Sequence, residues 1–149
     1  MILEKESGKS LMVTWIIWAA MLMSLAIYVL ICHLVGDEIR SGSIEVPAGH
    51  IRLVKYILAA VSAAEAVIAY FIRRFMLTRK VAATSLKERY TSAVLISLAF
   101  SESIGIFGMV LYFVNDSLST LYVFIGISAL AMIFYRPKAD EFEKFCSQA

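Results

Sequence analysis

The fold is decided by a stretch of 25 residues at positions 11–35, LMVTWIIWAAMLMSLAIYVLICHLV, which contains no Asp, Glu, Lys or Arg. A helix that crosses a bilayer needs about 20 mainly apolar residues, so this stretch is long enough to span one. It also far exceeds the roughly 7–15 apolar residues of a cleaved signal peptide. The sequence therefore predicts a membrane-spanning helix that is retained in the mature protein.

Three more stretches of the chain fit the same description. Residues 56–72 are interrupted only by Glu65, residues 91–114 only by Glu102, and residues 118–135 carry no charge at all. Each stretch lies within the range of about 17–25 residues expected for a membrane span. The sequence predicts an all-α, polytopic membrane protein whose residues 1–149 form a single domain, a bundle of four transmembrane helices.

The overall composition agrees with a membrane location. Of the 149 residues, 60% are hydrophobic and 17% are charged, whereas soluble domains have about 45–50% and about 25%. This balance argues against a water-soluble enzyme, a disordered tail or a nucleic-acid binder. The chain has no P-loop, GxSxG, HExxH or cysteine-pair metal motif, so no enzyme activity, cofactor or metal site is predicted.

The distribution of basic residues predicts the orientation. Short loops rich in Lys and Arg stay in the cytoplasm, and the amino terminus, the loop after the second span and the tail at 136–149 together hold 11 of the 14 basic residues. The predicted outer loop, residues 36–55, holds only Arg40, Arg52 and Lys55. Both termini, including the short tail, are therefore predicted to be cytoplasmic, in a bacterial inner membrane.

Two carboxyl groups lie close to the predicted bilayer midplane. Glu65 and Glu102 are near the centres of the second and third spans, and neither span contains Lys or Arg. A charge at this depth costs roughly 2.5–3.5 kcal/mol, so we expect at least one glutamate to be neutral, or both to share a proton or a cation. The candidate protonation or ion-binding residues are Glu102, Glu65, Ser101, Ser62 and Ser128, the serines acting as hydrogen-bond donors.

Small residues flank both glutamates, which predicts that the second and third spans pack closely with the glutamates between them. Three functions fit this arrangement. The carboxyls handle a proton or a cation, or they serve as interhelical packing contacts in an accessory or scaffold subunit of a membrane complex. The third is a pocket between the helices that binds a small molecule such as a quinone.

The segment from Ser101 to Val110, SESIGIFGMV, resembles the carboxylate helix of rotary ATPase c subunits. In that family a midmembrane Glu is followed by small and aliphatic residues and an aromatic-Gly step. The resemblance implies that Glu102 is the ion-carrying carboxylate and that Ser101, Ser103 and Phe107 line or cover it. This chain differs from the family in carrying its carboxylates on spans two and three, and alanines on its second span where c subunits have glycines.

The basic loop after the second span suggests a partner. A polybasic segment at the membrane surface attracts anionic lipid with roughly 1 kcal/mol per charge, although the same residues also serve to set topology. The residues concerned are Arg73, Arg74, Arg79 and Lys80. Besides the lipid bilayer, we expect self-association or a second membrane protein as partner.

Overall fold

The protein is described by a computed structural model over residues 2–41, 47–78, 86–114 and 116–141. In these ranges it forms five α-helices, α1 (Ile2–Leu34), α2 (Gly36–Ser41), α3 (Ala48–Thr78), α4 (Leu86–Phe113) and α5 (Leu118–Phe134). The predicted all-α fold is confirmed. Arg79, Lys80 and the tail beyond residue 141 lie outside the described residues.

Three of the helices contain stretches that are long and apolar enough to cross a membrane, namely Leu11–Leu34, Gly49–Thr78 and Glu88–Phe113. In hydrocarbon, a helix satisfies its backbone hydrogen bonds within one segment, so such apolar stretches are stable as helices. The last helix, α5, is equally apolar but has only 17 residues, or about 25 Å at 1.5 Å per residue.

Both ends of α5 are set by local signals in the sequence. Ser117 is the N-cap, and its hydroxyl accepts a hydrogen bond from the backbone N–H of Thr120 at 3.3 Å. Tyr135 ends the helix, two residues before Pro137, in keeping with the frequency of proline just beyond helix ends. These signals confine α5 to the apolar stretch.

The second span is longer than its apolar stretch predicts. The sequence predicts a span over 56–72, whereas α3 begins eight residues earlier and ends six residues later. Arg and Lys are good helix formers, so charges end the apolar stretch without ending the helix. The Pro47 carbonyl accepts the N–H of His50 at 2.9 Å at the start of α3. The predicted outer loop is consequently part helix, since it includes α2 and the first residues of α3.

The central helix is α4, which packs against α1, α3 and α5. In the most apolar 18 residues of α4, 44% of the residues are buried, against 11% in the corresponding stretches of α1 and α3. Val94, Leu98 and Leu111 on α4 are completely buried. The outer helices therefore direct most of their apolar side chains away from the protein, as expected of surfaces that contact lipid tails.

Contacts between α1 and α5 show that these helices run in opposite directions. The indole N–H of Trp18 donates to the Met132 carbonyl at 2.9 Å. Further along α1, His33 Nε2 lies 3.0 Å from the Tyr122 hydroxyl. The early part of α1 and the end of α5 thus lie at the same end of the molecule.

Candidate functional site

The carboxyl of Glu102 is hydrogen-bonded to two hydroxyl groups of α1. Its Oε1 atom accepts from Ser24 Oγ at 2.5 Å and from the Tyr28 hydroxyl at 2.8 Å. Ser24 and Tyr28 are four residues apart, so they lie on one face of α1. All three side chains are half-buried, and together they form a polar cluster between α1 and α4.

Glu65 has a different partner. Its Oε2 atom accepts from Ser103 Oγ at 2.7 Å, which joins α3 to α4. Ser103 follows Glu102 on α4, and successive helical residues are about 100° apart, so α4 presents the two contacts to different helices. The packing of α3 against α4 agrees with the sequence prediction. The placement of both glutamates between these two helices does not, because Glu102 is bonded to α1.

Each glutamate faces a serine that has a second acceptor on its own helix. Ser24 Oγ lies 2.7 Å from the Met21 carbonyl, and Ser103 Oγ lies 2.7 Å from the Phe100 carbonyl. A serine hydroxyl carries one proton and can also accept hydrogen bonds. Each serine can therefore donate either to the carboxylate or to its own backbone, depending on which of them requires the proton.

The three serines predicted as donors do not bond to the glutamates. Ser101 donates to the Ser97 carbonyl at 2.9 Å, and Ser128 donates to the Ser101 carbonyl at 2.5 Å. Ser62 is buried, and its hydroxyl has no hydrogen-bond partner among the described residues. The predicted hydrogen bonds from these hydroxyls to the glutamates are therefore wrong. Ser101 bonds to the preceding turn of its own helix, as serines within helices readily do, whereas Ser128 bonds across to the backbone of α4.

Two glycines allow neighbouring helices to approach α4 closely. A Cβ atom on Gly105 would lie 2.7 Å from Leu25 Cδ2, and one on Gly108 would lie 2.6 Å from Phe124 Cβ. The small-residue face of α4 therefore packs against α1 and α5, whereas the sequence predicts that it packs against α3. Small residues permit close packing in a membrane but do not specify which helix takes the space.

The resemblance to c subunits implies that Ser101, Ser103 and Phe107 surround Glu102. In the structure Ser103 bonds to Glu65, and Phe107 packs with Val54 of α3 around the buried cluster that contains Ile104. These two residues face α3, which is a different side of α4 from the contact between Glu102 and α1. The implied lining of Glu102 is instead supplied by Ser24 and Tyr28.

Tyr28 is the residue of this cluster that sequence reasoning missed. The depth of Ser24 at the centre of the first span was a usable signal, because Tyr28 lies one helical turn away on the same face. Among the described contacts, neither glutamate is paired with Lys, Arg or His. The carboxyls therefore interact with neutral hydroxyl groups only within the described part of the chain.

No cluster of three or more His, Cys, Asp or Glu side chains that could hold a metal ion occurs within 2–41, 47–78, 86–114 and 116–141. His33 is engaged by the Val29 carbonyl and by Tyr122.

No protein-family model, curated protein or solved structure matches this chain.

Proposed function

We propose that this chain is a four-span protein of a bacterial inner membrane, with both termini in the cytoplasm, and that it takes up and releases a proton at Glu102. Glu65 is a second carboxyl, which lies apart from Glu102 at the contact between α3 and α4. The observation that carries the proposal is the serine beside each glutamate with its alternative backbone acceptor. This arrangement lets the carboxyl keep a hydrogen bond in both of its protonation states.

In the ionised state, Glu102 accepts from both Ser24 and Tyr28. In the neutral state, the carboxylic acid donates to Ser24 Oγ, and the Ser24 hydroxyl turns its own proton to the Met21 carbonyl, 2.7 Å away. A buried polar group without a partner costs about 1–3 kcal/mol. Rotation of one hydroxyl avoids that cost, so the proton can be exchanged without a rearrangement of the helices.

The spacing of the oxygen atoms favours a proton over a metal cation. Ser24 Oγ and the Tyr28 hydroxyl lie 2.5 and 2.8 Å from Glu102 Oε1. A hard cation such as Ca²⁺ would need about 2.3–2.6 Å to each oxygen, which would separate the oxygens well beyond these distances. The cluster has the dimensions of a hydrogen-bonded site.

Two contacts between α3 and α5 support the fourth span. Lys55 on α3 lies 2.5 Å from Thr120 Oγ1 at the start of α5, and Arg73 donates to the Tyr135 carbonyl at the end of α5 at 3.0 Å. Lys55 and Arg73 are separated by about 27 Å along α3, close to the hydrocarbon thickness of about 30 Å. The 17 residues of α5 therefore cover the same depth as the apolar part of α3.

A second function, an accessory or scaffold subunit, is favoured by a different observation. Each glutamate contact joins two helices, and an interhelical hydrogen bond in a membrane contributes about 0.6–1.7 kcal/mol. The outer helices α1 and α3 leave broad surfaces for a partner, since only 11% of the residues in their most apolar stretches are buried. In this case the carboxyls stay protonated and only hold the helices together.

The experiment is infrared difference spectroscopy of the protein in liposomes across a pH change, combined with proton uptake measured by a pH-sensitive dye. In the Glu102→Gln variant we expect the carboxyl C=O band that responds to pH to disappear and proton uptake to be lost. The Glu38→Gln variant is the matched control, because Glu38 is an exposed residue of α2. If Glu102→Gln leaves both the band and the uptake as in the wild type, the proton-exchange proposal is wrong.

Native mass spectrometry of the protein from its own membrane separates the two functions at the level of assembly. A symmetric ring of many copies would support an assembly like that of c subunits, with Glu102 as its proton carrier. A stoichiometric complex with another protein, whose activity survives Glu102→Gln, would favour the accessory role.

A further inference from the structure

A groove lies between the end of α3 and the chain that follows α5. Its volume is about 300 Å³. It lies beside the contact between Arg73 and Tyr135, where the apolar stretch of α3 and the helix α5 both end. Its walls combine basic, acidic, aromatic and hydroxyl side chains, including Tyr70, Arg73, Arg74, Phe134, Lys138 and Glu141.

The charges around the groove are unbalanced. Arg73 is buried, and it is neutralised by an ion pair with Glu141 at 2.5 Å. Arg74 and Lys138 are exposed, and neither forms an ion pair within the described part of the chain. The Lys138 ammonium lies 6.0 Å from the centroid of the Phe134 ring, which places it at the groove. Counting the described residues only, the groove therefore offers two positive charges that no ion pair neutralises.

A second groove, about 460 Å³, continues from the first along the outer face of α3. The two grooves share Arg74 and Thr78, and the second is otherwise lined by Phe71, Ile72 and Phe75. Phe71 and Phe75 are more than half exposed. A positively charged site thus opens directly onto an apolar surface. An anionic phospholipid is complementary to both, because its headgroup is negatively charged and its acyl chains are apolar.

We infer that these grooves bind one anionic phospholipid, with its phosphate between Arg74 and Lys138 and its acyl chain along Phe71 and Phe75. Aromatic residues such as Tyr70 and Phe134 are typical of the interface where headgroups lie. Basic residues at that depth attract anionic headgroups. The inference is independent of proton exchange at Glu102, since none of these residues contacts the polar cluster.

The test is native mass spectrometry of the detergent-purified protein with an equimolar mixture of phosphatidylglycerol and phosphatidylcholine. We expect the wild type to retain phosphatidylglycerol preferentially. The Arg74→Gln/Lys138→Gln double variant should lose this preference by about five-fold for each charge removed, as follows from roughly 1 kcal/mol per basic side chain. Arg74→Lys should keep it, since the charge is retained.

The matched control is Arg52→Gln, which removes an exposed charge from the opposite end of α3 and should leave the preference unchanged. The unfolding midpoint of every variant is measured in parallel to establish that it is folded. Equal retention of the two lipids by the wild type, or an unchanged preference in the double variant, would overturn the inference. Displacement of phosphatidylglycerol by inorganic phosphate would also overturn it, by assigning the groove to a soluble phosphate compound.

Discussion

The two carboxyl contacts of α4 lie in differently built surroundings. On the side toward α1 and α5, Gly105 and Gly108 allow close approach, and Glu102 accepts hydrogen bonds from two hydroxyls. On the side toward α3, larger side chains such as Ile104 fill the space, and Ser103 is the one donor to Glu65 in the described part of the chain. The same residue type at a similar depth therefore has two environments.

This difference shows that depth in the membrane is only one of the factors that define an intramembrane carboxyl. The number of hydrogen-bond donors depends on which helix faces the residue, and close approach depends on the small residues nearby. The following variants change one side of α4 at a time.

The largest effect is expected from Gly108→Ala, which disrupts the close packing of α4 against α5. The new Cβ would lie 2.6 Å from Phe124 Cβ and 3.3 Å from the Leu121 carbonyl oxygen, and neither atom is the end of a flexible side chain. Overpacking of this kind costs about 1–3 kcal/mol. The free energy of unfolding in mixed micelles on addition of sodium dodecyl sulfate measures this loss.

The control for this variant is Gly126→Ala on α5, because no atom lies within 4 Å of a Cβ built there. Alanine is the better helix former, so this substitution should leave stability unchanged or raise it slightly. Equal destabilisation by Gly108→Ala and Gly126→Ala would contradict the close approach of α4 and α5.

An intermediate effect is expected from removing one donor on each side. Tyr28→Phe takes one of two donors from Glu102, and Ser103→Ala takes the one donor that Glu65 has among the described residues. Each loss should cost about 0.6–1.7 kcal/mol of stability. The pH-dependent carboxyl band of Glu102, measured by infrared spectroscopy, should shift in Tyr28→Phe and stay unchanged in Ser103→Ala. A shift in both variants would mean that the two carboxyls share one site.

The smallest effect is expected near the turn between α4 and α5, where Asp116 pairs with Lys55 of α3 at 3.1 Å. Burial raises the pKa of the Asp116 carboxyl, but hydrogen bonds from the Ser117 N–H, Lys55 and Thr120 outweigh it and hold the pKa below its ordinary value of 3.8. The ionised form therefore stabilises the fold. This stabilisation is complete above the ordinary pKa and is lost as the pH falls through the lowered one.

Asp116→Asn should cost about 0.2–1 kcal/mol at neutral pH, since Lys55 is partly exposed to solvent, and should flatten the loss of stability in acid. Unfolding measured as a function of pH tests both effects, with Asp37→Asn on the exposed surface of α2 as control. A steeper loss of stability in acid for Asp116→Asn than for the wild type would show that the direction given for this pKa is wrong.

Much of the helical framework could be predicted from the sequence. The apolar stretches place the ends of α1 and α4 closely, but α1 begins nine residues and α4 five residues before the predicted spans. Ser117 and Pro137 indicate the ends of α5. The length of α3 could not be predicted from hydropathy, because Arg52, Lys55 and Arg73 end the apolar stretch but continue the helix.

The candidate site could be predicted less completely. The depth of Glu65, Glu102 and Ser24 follows from counting residues along each span, whereas the roles of Ser101 and Ser128 depend on the rotation of α4 and α5 about their axes. Nothing in the local sequence shows that Ser128 bonds to the Ser101 carbonyl or that Tyr28 reaches Glu102.

The sequence by itself determined that the chain forms long apolar helices with two carboxyls near their centres. It does so because apolar length, charge spacing and backbone hydrogen bonding are properties of each segment alone. Only the tertiary structure decided that Glu102 bonds to α1 and Glu65 to α4, and that α1 and α5 pack against the glycines of α4. Those outcomes depend on how side chains from distant parts of the chain fill the same space, which no single segment specifies.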